Sequence, residues 1–117
     1  MRSPRTDRLL IEDMRDAIDR IAAYTEGMEK AAFLSDRKTV DAVVRNLEVV
    51  GVAANRLTAG TRDRRSDIEW PQIIGLRNRV VHEYFGVDTE IVWEIINKNL
   101  PGFKHELQSL LTLLSVD

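Results

Sequence analysis

The chain has 117 residues and a formal net charge of −2, with 44% hydrophobic residues, 31% charged residues and no cysteine, the composition expected of one soluble globular domain spanning residues 1–117. Absence of cysteine excludes disulfides, thiolate metal sites and cysteine nucleophiles. A folded chain of this length has an expected radius of gyration of about 13 Å and buries roughly two-thirds of its unfolded surface, enough for a core without covalent staples. The opening MRSPRTDR leads into a charged amphipathic stretch rather than a signal-peptide apolar region, so the expected compartment is the cytoplasm. The run Val49 to Ala54 is the longest without a polar residue, far short of the ~20 residues that span a bilayer, and no membrane partner is expected.

Apolar positions at Leu10, Met14, Ala17, Ile21, Tyr24 and Met28 follow a 4-3-4-3-4 spacing, which predicts one face of a helix of more than four turns, capped at Thr6 or Asp7 and weakened or ended at Gly27. A second stripe, Val40, Val43, Leu47, Val50, Ala54 and Leu57, predicts a helix with Ser35 or Asp36 as its N-cap and Gly60 as its stop. Two long helices joined by a short connection are expected to pack antiparallel. Thr61 to Glu69 has no apolar period and reads as a loop. Pro71 restarts a helix, whose stripe Ile73, Leu76, Val80 and Tyr84 runs to a break at Gly86. Asp88 or Thr89 caps a helix burying Ile91, Val92, Ile95 and Ile96 and ending at Asn99 and Leu100 ahead of Pro101, and a last helix carries Leu107, Leu110, Leu111 and Leu114. No segment alternates with period two between hairpin turns. The fold expected is an all-α up-and-down bundle of four to five helices.

Charge is unevenly distributed. Residues 1–55 carry 9 basic and 10 acidic side chains, residues 56–82 carry 6 and 3, and residues 83–117 carry 2 and 6. Thirteen of the 17 basic residues are Arg, the side chain that grips phosphate or carboxylate with a planar fork, although GC-rich coding alone gives the same bias. Within the basic middle, Arg77, Asn78 and His82 crowd into RNRVVHEY, and a bundle core needs none of the three. On an ideal helix Asn78 and His82 share a face, Arg77 and Tyr84 share the neighbouring one, and Arg77 lies about 140° from His82. The pair meets at one ligand only if the helix end distorts or a partner supplies the opposite wall. The competing reading makes Arg77 and His82 ordinary surface residues and Tyr84 a half-buried edge of the core.

Other chemistries find no support. The glycines at 27, 51, 60, 75, 86 and 102 form neither a P-loop nor a dinucleotide fingerprint, so no nucleotide cofactor is expected. Neither His82 nor His105 has Glu three residues before it, as a di-iron bundle requires, so no metal is expected. The serines lack a spaced His and Asp for a nucleophilic triad. Trp70 and Trp93 adjoin apolar stripes and read as core anchors rather than base-stacking platforms.

The pattern Arg77, four residues, His82, one residue, Tyr84 resembles the signature of the HEPN superfamily, and specifically its HepT-like members. RNLEVVGVAANRL at 45–57, IGLRNRVVHEYFGVD at 74–88 and IVWEIINKNLP at 91–101 are similar to that family's segments, so the resemblance covers nearly the whole chain. It implies a cytoplasmic, homodimeric helical bundle acting as a metal-independent endoribonuclease and toxin, with a small nucleotidyltransferase of the MNT type as antitoxin partner. It also implies that Arg77 and His82 are the catalytic pair, that Asn78 supports them, and that Tyr84 accepts AMP from the antitoxin. Val52 stands where the family pattern has Glu, and Glu83 where many relatives have a small residue. Arg62, Arg64, Arg65 and Arg79, in the basic segment, are the expected RNA contacts. The second reading of the chain is a non-catalytic helical module that binds a nucleotide or the nucleotidyltransferase, and a third is a plain structural dimer.

Overall fold

Three long helices carry the core in a computed structural model that describes residues 4–82 and 86–116. Helix α1 (Pro4–Thr25) packs along α3 (Arg37–Arg56), and Leu10, Ile11, Met14, Ala17, Ile18 and Ile21 on one side meet Val40, Val43, Leu47, Val50 and Ala54 on the other. Contacts of the α1 N-terminal turn with Thr58, just past α3, and of Arg20 with Asn46 fix the antiparallel sense. Against α1 lies α8 (Leu100–Val116), also antiparallel, since Arg8 reaches Ser115 at 3.1 Å and Lys104 reaches Asp19 at 2.6 Å. The bundle is elongated, 46 × 31 × 21 Å, with a radius of gyration of 14.6 Å. The all-α expectation holds.

Several local expectations are corrected. Asp7 does not cap α1, which starts at Pro4. Its carboxylate is 1% exposed and accepts from the Thr58 hydroxyl at 2.6 Å, from the Thr58 N–H at 3.3 Å and from the Thr61 hydroxyl. A buried carboxylate is tolerable only when donors surround it, and these donors tie the start of α1 to α4 (Ala59–Asp63). That short helix begins at Thr58, whose hydroxyl accepts from the Thr61 N–H, so Gly60 is not the stop of α3. The chain leaves α3 at Leu57, which turns extended with ψ 144°. The supposed loop from Thr61 therefore opens inside a helix, and Ile68 within it is buried. Tyr24 is 44% exposed rather than part of the α1 stripe. Gly27 takes φ +75°, a left-handed conformation that glycine adopts without strain, and turns the chain into α2 (Lys30–Ser35). Asp36, not Ser35, caps α3, accepting from the Thr39 N–H at 3.0 Å. That hydrogen bond holds its carboxyl below the ordinary value, so the cap's contribution is present at neutral pH and fades as pH falls through the lowered pKa.

Helix α7 (Thr89–Glu94), capped by Asp88 through the Ile91 N–H at 3.1 Å, does not end before Pro101. It runs through a π-helical turn, Ile95–Asn99, directly into α8. Proline lacks an N–H and its ring collides with the carbonyl four residues earlier in an α-helix. Widening to the i→i+5 pattern, with the Leu100 N–H bonded to the Ile95 carbonyl, lets the helix pass that residue. Trp70 is 6% exposed, donates its indole N–H to the Arg62 and Arg65 carbonyls and meets Phe103 edge-on at 6.2 Å, while Trp93 stacks obliquely on Phe33 at 5.2 Å. Both tryptophans serve the core, as expected.

The third expected helix is broken into α5 (Trp70–Ile74) and α6 (Leu76–Val80), both packed on α3. They pack closely because Gly51 faces them: a Cβ there would lie 2.8 Å from the Ile74 carbonyl oxygen and 3.2 Å from that of Ile73. Backbone cannot yield as a flexible side-chain tip would. Gly51→Ala is therefore expected to destabilise the fold by about 1–3 kcal/mol, the range for overpacking a tight contact, despite the better helix propensity of Ala. Denaturant unfolding measures it.

Candidate active site

Gly75, at φ −90° and ψ 10°, is the joint between α5 and α6, and from it α6 runs against α3. Leu76 and Val80 point into the core at 3% and 0% exposure, which leaves the intervening Arg77, Asn78 and Arg79 exposed. Helix α6 then stops at Val80. Val81 is extended at φ −105° and ψ 120°, and Val81–His82 (β1) pairs antiparallel with Gly86–Val87 (β2), in the register Val81 with Val87 and His82 with Gly86. The expectation of no hairpin is overturned here, because β-branched Val80 and Val81 favour extended backbone at a helix end and Gly86 supplies φ +77°. Asp88 closes the arrangement by donating its N–H to the Val80 carbonyl at 2.7 Å.

The helix-face argument for the cluster changes accordingly. Asn78 and His82 do not share a helical face, and the offset of about 140° between Arg77 and His82 does not apply, since the chain leaves the helix between them. His82 stands exposed on β1. Tyr84 and Glu83 lie outside the described residues.

Arg77 is positioned from α3. Its Nε lies 3.4 Å from Glu48 Oε2, and Arg45 holds the other carboxylate oxygen of Glu48 at 3.0 Å. With its side chain 51% exposed, Arg77 keeps donors available to a ligand. Arg77 and Asn78 line one shallow groove of about 160 Å³ with Glu48, Gly51, Val52 and Asn55. Val52 itself is 53% exposed. Glu48 escaped the sequence reading because a lone Glu on a helix with a strong apolar stripe reads as solvated surface. Only its position opposite Arg77 shows its role, and the signal in the sequence was its place one turn before Gly51.

The other basic residues divide. Arg65 is chelated by Asp67, with both hydrogen bonds at 2.8 Å, and lies 3.6 Å from Glu106 on α8. The Asp67 hydrogen bond raises the Arg65 pKa and lowers that of Asp67. Arg64 donates to the Leu113 carbonyl at 3.2 Å. These two fasten the segment after α4 to α8 and do not line the groove at Arg77. Arg62 is half-buried beside Trp70, its carbonyl accepting from the indole, whereas Arg79 is exposed next to Asn78. Exposed His105 lies on α8. Among the described residues no group of three or more His, Asp and Glu is arranged to hold a metal ion, and no helix is long and apolar enough to cross a membrane.

The chain is 33% identical over 102 residues to a Methanocaldococcus jannaschii protein named "Putative RNase", covering 87% of this chain and 81% of that one. It is 30% identical over 106 residues to "Probable ribonuclease HepT" of Thermococcus cleftensis, covering 91% and 96%. A "Putative RNase" of Caldanaerobacter subterraneus is 31% identical over 107 residues, covering 92% and 96%. No solved structure gives a significant match. The sequence profile described as Ribonuclease HepT-like matches residues 14–110, from the middle of α1 into α8, and on that match the chain belongs to the HepT-like ribonuclease family.

Proposed function

We propose that the protein is a cytoplasmic, metal-independent endoribonuclease toxin that cleaves RNA with Arg77 and His82 at the cleft of a homodimer. The observation that carries this reading is the placement of His82 on an exposed strand immediately after the helix that presents Arg77 and Asn78. Cleavage without metal requires a base to take the 2′-OH proton as that oxygen attacks phosphorus, a proton donor to the 5′-oxygen as the P–O5′ bond breaks, and positive charge on the phosphorane between these events. An imidazole titrating near neutrality serves as base or acid, but one ring cannot be both in a single concerted step. A two-fold axis solves this by bringing two His82 and two Arg77 to one cleft. Asn78 supports the phosphate, and exposed Arg79 extends the positive surface, with Arg62 earlier in the chain. Arg64 and Arg65, engaged by α8, have a structural part.

His82→Ala and Arg77→Ala are each expected to slow RNA cleavage by ~10²–10⁴, the usual contribution of a general acid or base or of a transition-state charge, with unchanged helical spectra and no effect of chelator on the wild type. Cleavage that persists in both variants in the presence of chelator would show that Arg77 and His82 are not the active site, whereas no cleavage by the wild type would favour the non-catalytic nucleotide- or partner-binding module.

Light scattering at micromolar concentration is expected to give the mass of a dimer. A monomer active at the same concentration would remove the two-histidine mechanism.

Regulation is proposed to act at Tyr84, two residues past His82. An MNT-type nucleotidyltransferase would transfer AMP from ATP to the phenolic oxygen, releasing pyrophosphate. The added phosphate places negative charge where RNA phosphate binds, and inhibition follows by occupancy and like-charge repulsion. Co-expression with the partner should increase the mass of the Tyr84 peptide by one or more AMP units and leave Tyr84→Phe unmodified. AMP on Tyr84→Phe, or undiminished cleavage by modified protein, would favour inhibition by complex formation.

A further inference from the structure

A cavity of about 390 Å³ opens where the start of α3 meets the hairpin and α7. It falls in the size range of small-molecule sites. Leu34, Val40 and Val87 give it an apolar floor, and Arg37, Asp41 and Thr89 stand at its rim. Among the described residues the side chains of Arg37 and Asp41 have no hydrogen-bond or ion-pair partner, although they lie one turn apart on α3. Gly86 also lines the cavity and is the strand partner of His82. The cavity therefore opens against the hairpin that carries His82.

We infer that this cavity is a base-specificity pocket that takes a guanine of single-stranded RNA, with Asp41 as the reading residue. The inference rests on the ribonuclease reading above for the identity of the polymer. An ionised carboxylate only accepts hydrogen bonds, so Asp41 repels a phosphate and selects an edge with adjacent donors. Guanine offers N1–H and N2–H side by side, matching both carboxylate oxygens. Adenine and cytosine place an acceptor beside their amino group on that edge, and uracil flanks its single N–H with two carbonyls. The neighbouring guanine O6 accepts from the Thr89 hydroxyl or the Arg37 guanidinium, the purine faces rest on the apolar floor, and Arg37 is also within the rim to hold the attached phosphate.

The test uses oligouridine substrates in which one position is G, A, C or U in turn. Wild-type protein should cut beside G about 10- to 100-fold faster than beside A or C, the discrimination typical of one bidentate contact, and Asp41→Asn should reduce that ratio to about threefold or less. Binding is read separately in His82→Ala protein: 5′-GMP should shift the amide resonances of residues 37–41 and 87–89, 5′-AMP at equal concentration should not, and Asp41→Asn should abolish the difference. Cleavage without base preference, or full preference for G retained in Asp41→Asn, would overturn the pocket and leave the ribonuclease reading intact. Selective GMP binding by a protein that cuts no RNA would uphold the pocket and overturn the ribonuclease reading.

Discussion

A hydrogen in place of a side chain at Gly51 lets the backbone of α5 lie against α3, where any Cβ would come within 2.8 Å of the Ile74 carbonyl. The rest of the site depends on that proximity. With α5 seated, Gly75 turns the chain into α6, Leu76 and Val80 reach the core, and Arg77 comes within 3.4 Å of Glu48 on the same stretch of α3. A wider spacing would separate Arg77 from its carboxylate and displace the helix end from which His82 departs. Half-exposed ion pairs contribute little stability, so the Glu48 contact is better understood as orienting the guanidinium than as holding the helices together.

Stability of the frame comes instead from the apolar seams and from a few buried polar groups that are fully partnered. Asp7 gathers three donors from Thr58 and Thr61, and Asn46, 7% exposed, donates to the Ala42 carbonyl at 2.9 Å while accepting from Arg20 at 3.0 Å. Such contacts specify which turn of α1 meets which turn of α3, a choice that interchangeable aliphatic side chains leave loosely determined. They also lie at opposite ends of the helix pair, one near the start of α1 and one near its end, so register is fixed along its length.

The surplus of basic residues in the middle of the chain serves two purposes that composition does not separate. Arg64 is held by the Leu113 carbonyl of α8, and Arg65 by Asp67 two residues along the chain and by Glu106 of α8. Arg77 and Arg79 remain open to solvent next to the hairpin. A charge count over residues 56–82 thus overstates the positive field at the candidate site, because Arg64 and Arg65 are held at α8 and Arg77 shares the Glu48 carboxylate of α3.

Periodicity in the sequence determined the long helices. The stripes through Met14, Val43 and Leu107 have no alternative burial, because a 3.6-residue period places them on one face whatever the packing. The Arg77, Asn78 and His82 cluster was legible for a similar reason: polar residues without a core role stand out against such a stripe. Tertiary structure alone decided how those residues are presented. The end of α6 at Val80 depends on pairing with Gly86–Val87 and on the Asp88 N–H reaching the Val80 carbonyl, contacts between positions that local propensity cannot weigh. The passage of α7 into α8 through a π-helical turn likewise overrode the stop expected before Pro101, since burial of Ile95 and Leu100 on either side outweighs one irregular turn. The burial of Asp7 was also invisible, because its donors arrive from residues 51 and 54 positions away. Side-chain spacing acts within one element, and partners from distant elements are set only when the chain has folded.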